Sequence, residues 1–160
     1  MPIRNIFNRD ANNNPSSAAL RIVGAVVPVE IYVPQAIAQV LTQNAQPLPT
    51  PVIGFAMMDT GANGTCVHEP SLTTLGLNPI DVVPSGTAGG PVQQNVYPAR
   101  LVFPSLGWEL NFARLTGVNL TGQIVPSNPP QQLLVLVGRD ILESAILVWN
   151  GPGGAWSIAW

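Results

Sequence analysis

The sequence predicts a mostly β protein: a small closed barrel with one or two short helices. Three observations predict it. Short β-branched and apolar runs recur along the chain, separated by glycine- and proline-rich turns. Helical signals are brief and few. Hydrophobic residues make up 46% of a 160-residue chain of mean hydropathy +0.28, enough for one packed domain and too much for a disordered one.

Each element follows in order. Residues 1–19 are polar and Asn-rich, and read as an irregular N-terminal arm without a core face; the domain proper spans 20–160. Between Leu20 and Val33 the chain turns β-branched, which predicts one or two strands. Residues 34–51 form an insertion, with a possible helical turn at AIAQVL before a proline-rich loop. PVIGFAMMD reads as a strand entering the turn TGANG, and HEPSLTTLGL as a short helix with Pro70 in its first turn and Gly76 just past its end. The next segment is a hairpin, with GTAGG as its turn. WELNFARL alternates as a strand does, and QLLVLVG is an apolar run of buried-strand character. Asp140 and Glu143 stand at capping-box spacing, with Asp140 as N-cap. AILVWNGPGGAWSIAW closes the chain as strand, glycine-rich turn, strand.

Charge narrows the function. Charged residues are 9% of the chain, with six Arg, no Lys and eight acidic groups, and the arginines are scattered singly. That argues against nucleic acid as a partner. One Cys and one His exclude an intramolecular disulfide and a multi-His metal site within one chain, so neither metal nor cofactor is expected. MPIRNIFNRD lacks the apolar core of a signal peptide, and prolines and amides interrupt the uncharged stretch 31–58. A cytoplasmic protein without membrane contact is the expectation. So few charges also imply apolar surface to hide, hence an oligomer.

Two segments carry chemistry: Met57-Met58-Asp59-Thr60-Gly61-Ala62 and Leu136-Val137-Gly138-Arg139-Asp140-Ile141-Leu142. A carboxylate at the end of a buried strand costs desolvation energy unless it is hydrogen bonded. Thr60 supplies a hydroxyl there, and Gly61 permits close backbone approach. The bland reading of Asp59 is an ordinary turn residue. These segments, with the hairpin Gly86-Thr87-Ala88-Gly89-Gly90 between them, resemble the retropepsin-like aspartic proteases, in the order of that family. DTGA by itself is a modest signal; the strand before it and the two elements after it make it specific. The resemblance covers roughly residues 20–160.

The resemblance implies a barrel of the retropepsin type acting as a homodimer. The DTG motif occurs once in the chain, and the chemistry needs two carboxylates, so two chains must supply Asp59. It implies an endopeptidase acting on extended peptide or protein substrates with apolar flanking residues. Asp59, Thr60 and Gly61 would form the catalytic loop. Ala62, Asn63, Gly86, Thr87, Ala88, Gly89 and Gly90 would contact substrate, the last five as a flap. Gly138, Arg139 and Asp140 would brace the site. Retroviral members often carry Asp where this chain has Asn63, so Arg139 is expected to bond an amide or a backbone carbonyl instead. Their termini build an intersubunit sheet; here the polar arm points to the C-terminal hairpin, Ala145 to Trp160, as the interface, with AWSIAW as the uncharged edge. Cys66 reads as a small buried hydrophobe and His68 as a surface or helix-start residue. The alternative function is a catalytically silent peptide-binding or dimerisation module of the same fold.

Overall fold

The structure is a computed structural model that describes residues 2–87 and 89–160, with Thr87 described by its backbone alone. Among the described residues, eleven strands and four short helices follow one another as β1 (Ile3–Phe7), α1 (Ser17–Val23), β2 (Val26–Tyr32), α2 (Gln35–Gln43), β3 (Val52–Met58), β4 (Cys66–His68), α3 (Glu69–Thr74), β5 (Asp81–Thr87), β6 (Gly90–Phe103), β7 (Trp108–Val118), β8 (Ile124–Val125), β9 (Gln131–Val137), α4 (Arg139–Leu142), β10 (Ile146–Asn150) and β11 (Ala155–Ala159).

Six strands close a barrel in the order β2-β3-β9-β4-β7-β6, and the ring shuts where β2 pairs with β6 through Glu30, Ile31 and Tyr32 opposite Val102, Leu101 and Arg100. Closure leaves the ring itself without an edge, which suits strands whose inward residues are apolar. Alternation sends Val27, Val29 and Ile31 of β2 inward, where they join Ala56, Leu101, Phe103, Leu115, Val135 and Val137 in one core. β9 lies between β3, to which it is parallel, and β4, to which it is antiparallel. That placement buries it on both faces, as its unbroken apolar run requires.

The helix over Glu69–Thr74 forms as expected, with Pro70 in the first turn and Gly76 at φ +75°. The insertion 34–51 carries a full helix, α2, rather than a single turn.

Two expectations are corrected. Leu20–Val23 is the end of a helix, not a strand. Ser16 caps α1 by accepting the Ala19 N–H at 3.2 Å, and Gly24 at φ +82° stops it. The segment 1–19 is not irregular: residues 3–7 form a strand antiparallel to β11. Several of its polar side chains bond backbone, and Asn5 accepts from the Ser157 hydroxyl. Asn8, 9% exposed, donates its side-chain amide to the Gly24 carbonyl at 3.1 Å, and its own N–H bonds the Gly154 carbonyl at 2.9 Å.

β1, β11 and β10 make a separate three-stranded sheet with β11 in the middle. Trp156 and Ile158 of β11 are fully buried in the barrel's core cluster, which fastens this sheet to the barrel. Trp160 stands edge-on to Trp108 at 5.2 Å between ring centroids.

Candidate functional site

β3 ends at Met58, paired with Val137 on β9, so Asp59 leaves the sheet at the point where β9 gives way to Gly138. The Asp59 N–H donates to the Val137 carbonyl at 2.9 Å and fixes the start of the loop. Gly61 N–H turns back onto Asp59 Oδ1 at 2.9 Å, and Ala62 N–H donates to the Asp59 carbonyl at 3.2 Å. A Cβ on Gly61 would stand 3.1 Å from Asp59 Oδ1. Glycine is therefore what lets the backbone cradle the carboxylate.

Arg139 and Asp140 lock this loop from outside. Arg139 donates Nη1 to the Thr60 carbonyl at 2.9 Å and its backbone N–H to the Ala62 carbonyl at 3.0 Å. The expected backbone-carbonyl partner of Arg139 is thus observed. Asp140 accepts from Thr65 twice, from the N–H at 2.9 Å and from the hydroxyl at 2.7 Å. Thr65 Oγ1 in turn accepts the Gly138 N–H at 3.0 Å. The expected capping box is corrected here: Gly138 is the N-cap of α4, Glu143 lies at its C-cap, and Asp140 spends its carboxylate on Thr65 and on the Ile141 N–H. A Cβ on Gly138 would lie 2.4 Å from the Gly64 carbonyl carbon. Only a glycine allows the two loops to touch.

Asp59 opens onto a cavity of about 570 Å³ lined by Gly61, Ala62, Asn63, Gly64, Cys66, Ser85, Gly86, Gln94, Thr116, Val118 and Leu136. The structure therefore gathers four of the predicted residues, Gly61, Ala62, Asn63 and Gly86, around Asp59. Thr60, Gly89 and Gly90 do not line it. Ala88 and the Thr87 side chain fall outside the described residues. The hairpin itself is present: β5 and β6 pair from Asp81↔Val96 to Thr87↔Gly90, and Gly90 takes φ +107°.

Sequence reasoning missed Gly64, Cys66, Ser85, Gln94, Thr116, Val118 and Leu136 as wall residues. Leu136 was within reach, because it lies one residue before Val137 in the second segment and pairs with Cys66 across β9–β4. Thr116 and Val118 reach the wall only because β7 runs parallel to β4. Burial pushes the Cys66 thiol up to about 11, and the Asp59 and Asp140 charges add to the shift. That thiol stays protonated near neutrality, so it is no nucleophile there.

His68 is not a surface residue. It is 8% exposed at the N-cap position of α3, and its Nδ1 accepts the Leu120 N–H at 3.1 Å. Burial holds its pKa below the ordinary value. Glu69 beside it accepts from both Tyr97 Oη and Asn95 Nδ2 at 2.6 Å, and these bonds hold its carboxyl below the usual range.

Chemically, the arrangement presents one oriented carboxylate in a cleft whose other walls are apolar or neutral. Among the described residues no group of three or more His, Cys, Asp or Glu side chains is placed to hold a metal ion, and no helix is long and apolar enough to cross a membrane. No family model, no curated protein and no solved structure matches this chain.

Proposed function

We propose that the chain is a retropepsin-like aspartic endopeptidase whose active form is a homodimer. The observation that carries the reading is the Asp59 carboxylate. Gly61 orients it, Arg139 and Asp140 brace its loop, and it faces a cleft flanked by a glycine-bearing hairpin. A silent binding module or a mere assembly subunit has no need of a carboxylate oriented in this way.

Two such carboxylates, one from each copy, share one proton. The ionised one accepts a proton from a water as that water's oxygen bonds the scissile carbonyl carbon. The protonated one donates to the carbonyl oxygen. The tetrahedral diol then collapses: the C–N bond breaks, a proton passes to the leaving nitrogen, and acid and amine products depart. Thr60 would stiffen the pair across the two-fold axis. An extended substrate would lie as an added strand between hairpin and dyad. Among the described residues the cleft holds no charged side chain besides Asp59, which favours apolar and neutral substrate residues.

The test is digestion of a denatured protein at acidic pH, with and without a statine-type transition-state mimic. Asp59→Asn keeps the shape of the side chain and removes the general base. It should lower turnover by about 10³-fold or more while melting and oligomeric state stay unchanged. Equal rates for both forms would sink the reading.

A further inference from the structure

The six-strand ring closes on itself, with β5 and the two-residue β8 as edges at its rim, and the terminal sheet has two open edges, β1 and β10. β11, whose AWSIAW run looks from sequence like the uncharged edge, is the middle strand, with both its edges occupied inside the same chain. Among the described residues, the open uncharged edge of this terminal sheet is β10, Ile146–Asn150. It pairs regularly with β11 on one side and carries no charge, proline or bulge on the other. Such an edge is a template for another strand.

Trp149 marks where that strand is missing. It stands directly opposite Trp156, so the two share a face, the one packed on the core. Trp156 is fully buried, yet Trp149 is 52% exposed. The core-side face therefore ends at β10 with an indole half in water. On the opposite face Ile146 and Val148 are 54% and 52% exposed.

We propose that β10 pairs antiparallel with β10 of a second copy of this chain, across a two-fold axis, to form one continuous six-stranded sheet. This rests on the reading that the active site needs two copies of Asp59. It differs from an interface built on the final strand.

Charge selects a second copy as the occupant. An edge pairing with itself around a two-fold axis sets each outward N–H against an outward C=O, and uncharged β10 brings no like charges together. The other edge, β1, carries Arg4, which self-pairing would crowd against its mate. A register centred on Val148 sets Leu147 opposite the copy's Trp149 on the core-side face, which covers the exposed indole. The position also suits the site. Only residues 140–145 separate β10 in sequence from Arg139, which holds the Thr60 carbonyl.

The experiment is sedimentation of the full chain over a range of concentrations. Wild type should associate to a dimer. Val148→Lys sets two ammonium groups face to face and should weaken association at least tenfold. It should remain folded by circular dichroism, because Val148 already faces solvent. Ile3→Lys on β1 should leave the dimer intact. Amide exchange of the wild type supplies a second readout: β10 amides should gain protection on association and β1 amides should not. A chain that stays monomeric, a dimer that survives Val148→Lys, or protection gained on β1 instead would overturn the proposal. A β10-dependent dimer without proteolysis would uphold the interface and remove the peptidase reading. Proteolysis by a strict monomer would remove both.

Discussion

The two walls of the cleft are built on opposite principles. On one side the Asp59 loop is tied at short range by Val137, Arg139 and Asp140, with Gly138 in backbone contact behind it. On the other side the β5–β6 hairpin is exposed at Gly86, Gly89, Pro91, Val92 and Gln93, and its two strands pair with each other from Asp81 to Thr87. Where groups must hold a fixed geometry, cross-chain bonds and close packing supply it. Where a substrate must enter, contacts are few and local opening costs little. The difference teaches that stability and activity should respond oppositely to substitutions on the two walls.

The largest expected effect breaks the rigid wall. Gly138→Ala places a methyl group 2.4 Å from the Gly64 backbone, where nothing flexible can yield. Overpacking of this kind should cost about 3 kcal/mol, read as a lowered midpoint in denaturant, with activity lost together with the fold. If the midpoint does not move, the two loops are not in rigid contact.

Next comes Asp140→Ala. It strands the N–H and hydroxyl of Thr65, a residue only 4% exposed. Losing the acceptor should cost about 2 kcal/mol, and Asp140→Asn should recover a good part, because an amide oxygen still accepts. Melting curves of the three proteins check the order.

A smaller effect concerns the outer support of the same wall. Val118 lines the cleft, and two residues on, the Leu120 N–H is held by His68. The His68 pKa is lowered in the folded chain, so the unfolded chain takes up the proton first. Its contribution is complete above about pH 6.5 and is lost as pH falls below that toward the folded value, at no more than about 1.4 kcal/mol per pH unit. His68→Gln should flatten the stability profile between pH 7.5 and 5.5. The lowered Glu69 carboxyl acts in a separate window, losing its contribution only below its ordinary value of 4.5. An unchanged slope in the His68 variant would exclude the imidazole as the source.

The smallest effect on stability, and the sharpest contrast, belongs to the hairpin. A Cβ at Gly90 would meet nothing within 4 Å, but φ +107° disfavours any side chain and a branched one most. Gly90→Val should cost about 1 kcal/mol or less of global stability, because the ladder can adjust, yet activity per folded molecule should fall severalfold. Melting that drops sharply with activity per folded molecule retained would make the hairpin an ordinary turn.

Periodicity and turn chemistry make most strands legible along the chain. β3, the β5–β6 hairpin, β7, β9 and the β10–β11 hairpin all lie where alternation, apolar runs and glycine turns indicate them, and α3 lies between its Pro70 and Gly76 signals. The candidate site is legible only in its floor. Asp59 and Gly61 lie two residues apart and Gly138 and Arg139 are adjacent, and their bonding follows from residue type at short spacing.

What tertiary structure alone decides are the contacts between chain segments far apart. The polar arm becomes a strand because β11 offers it an edge more than a hundred residues away. Leu20–Val23 becomes helix, against its β-branched content, because Leu20 fills the core, a tertiary contact that sides with the local caps Ser16 and Gly24. Asp140 abandons a helix cap for Thr65, 75 residues distant. The cleft wall draws Cys66, Gln94 and Thr116 from three strands brought together by parallel and antiparallel pairing. By itself the sequence determined the local backbone preferences and one oriented carboxylate. Which groups surround that carboxylate, and which sheet edge remains open, depended on pairing partners, because a strand's hydrogen bonds are completed by chain that its own residues do not specify.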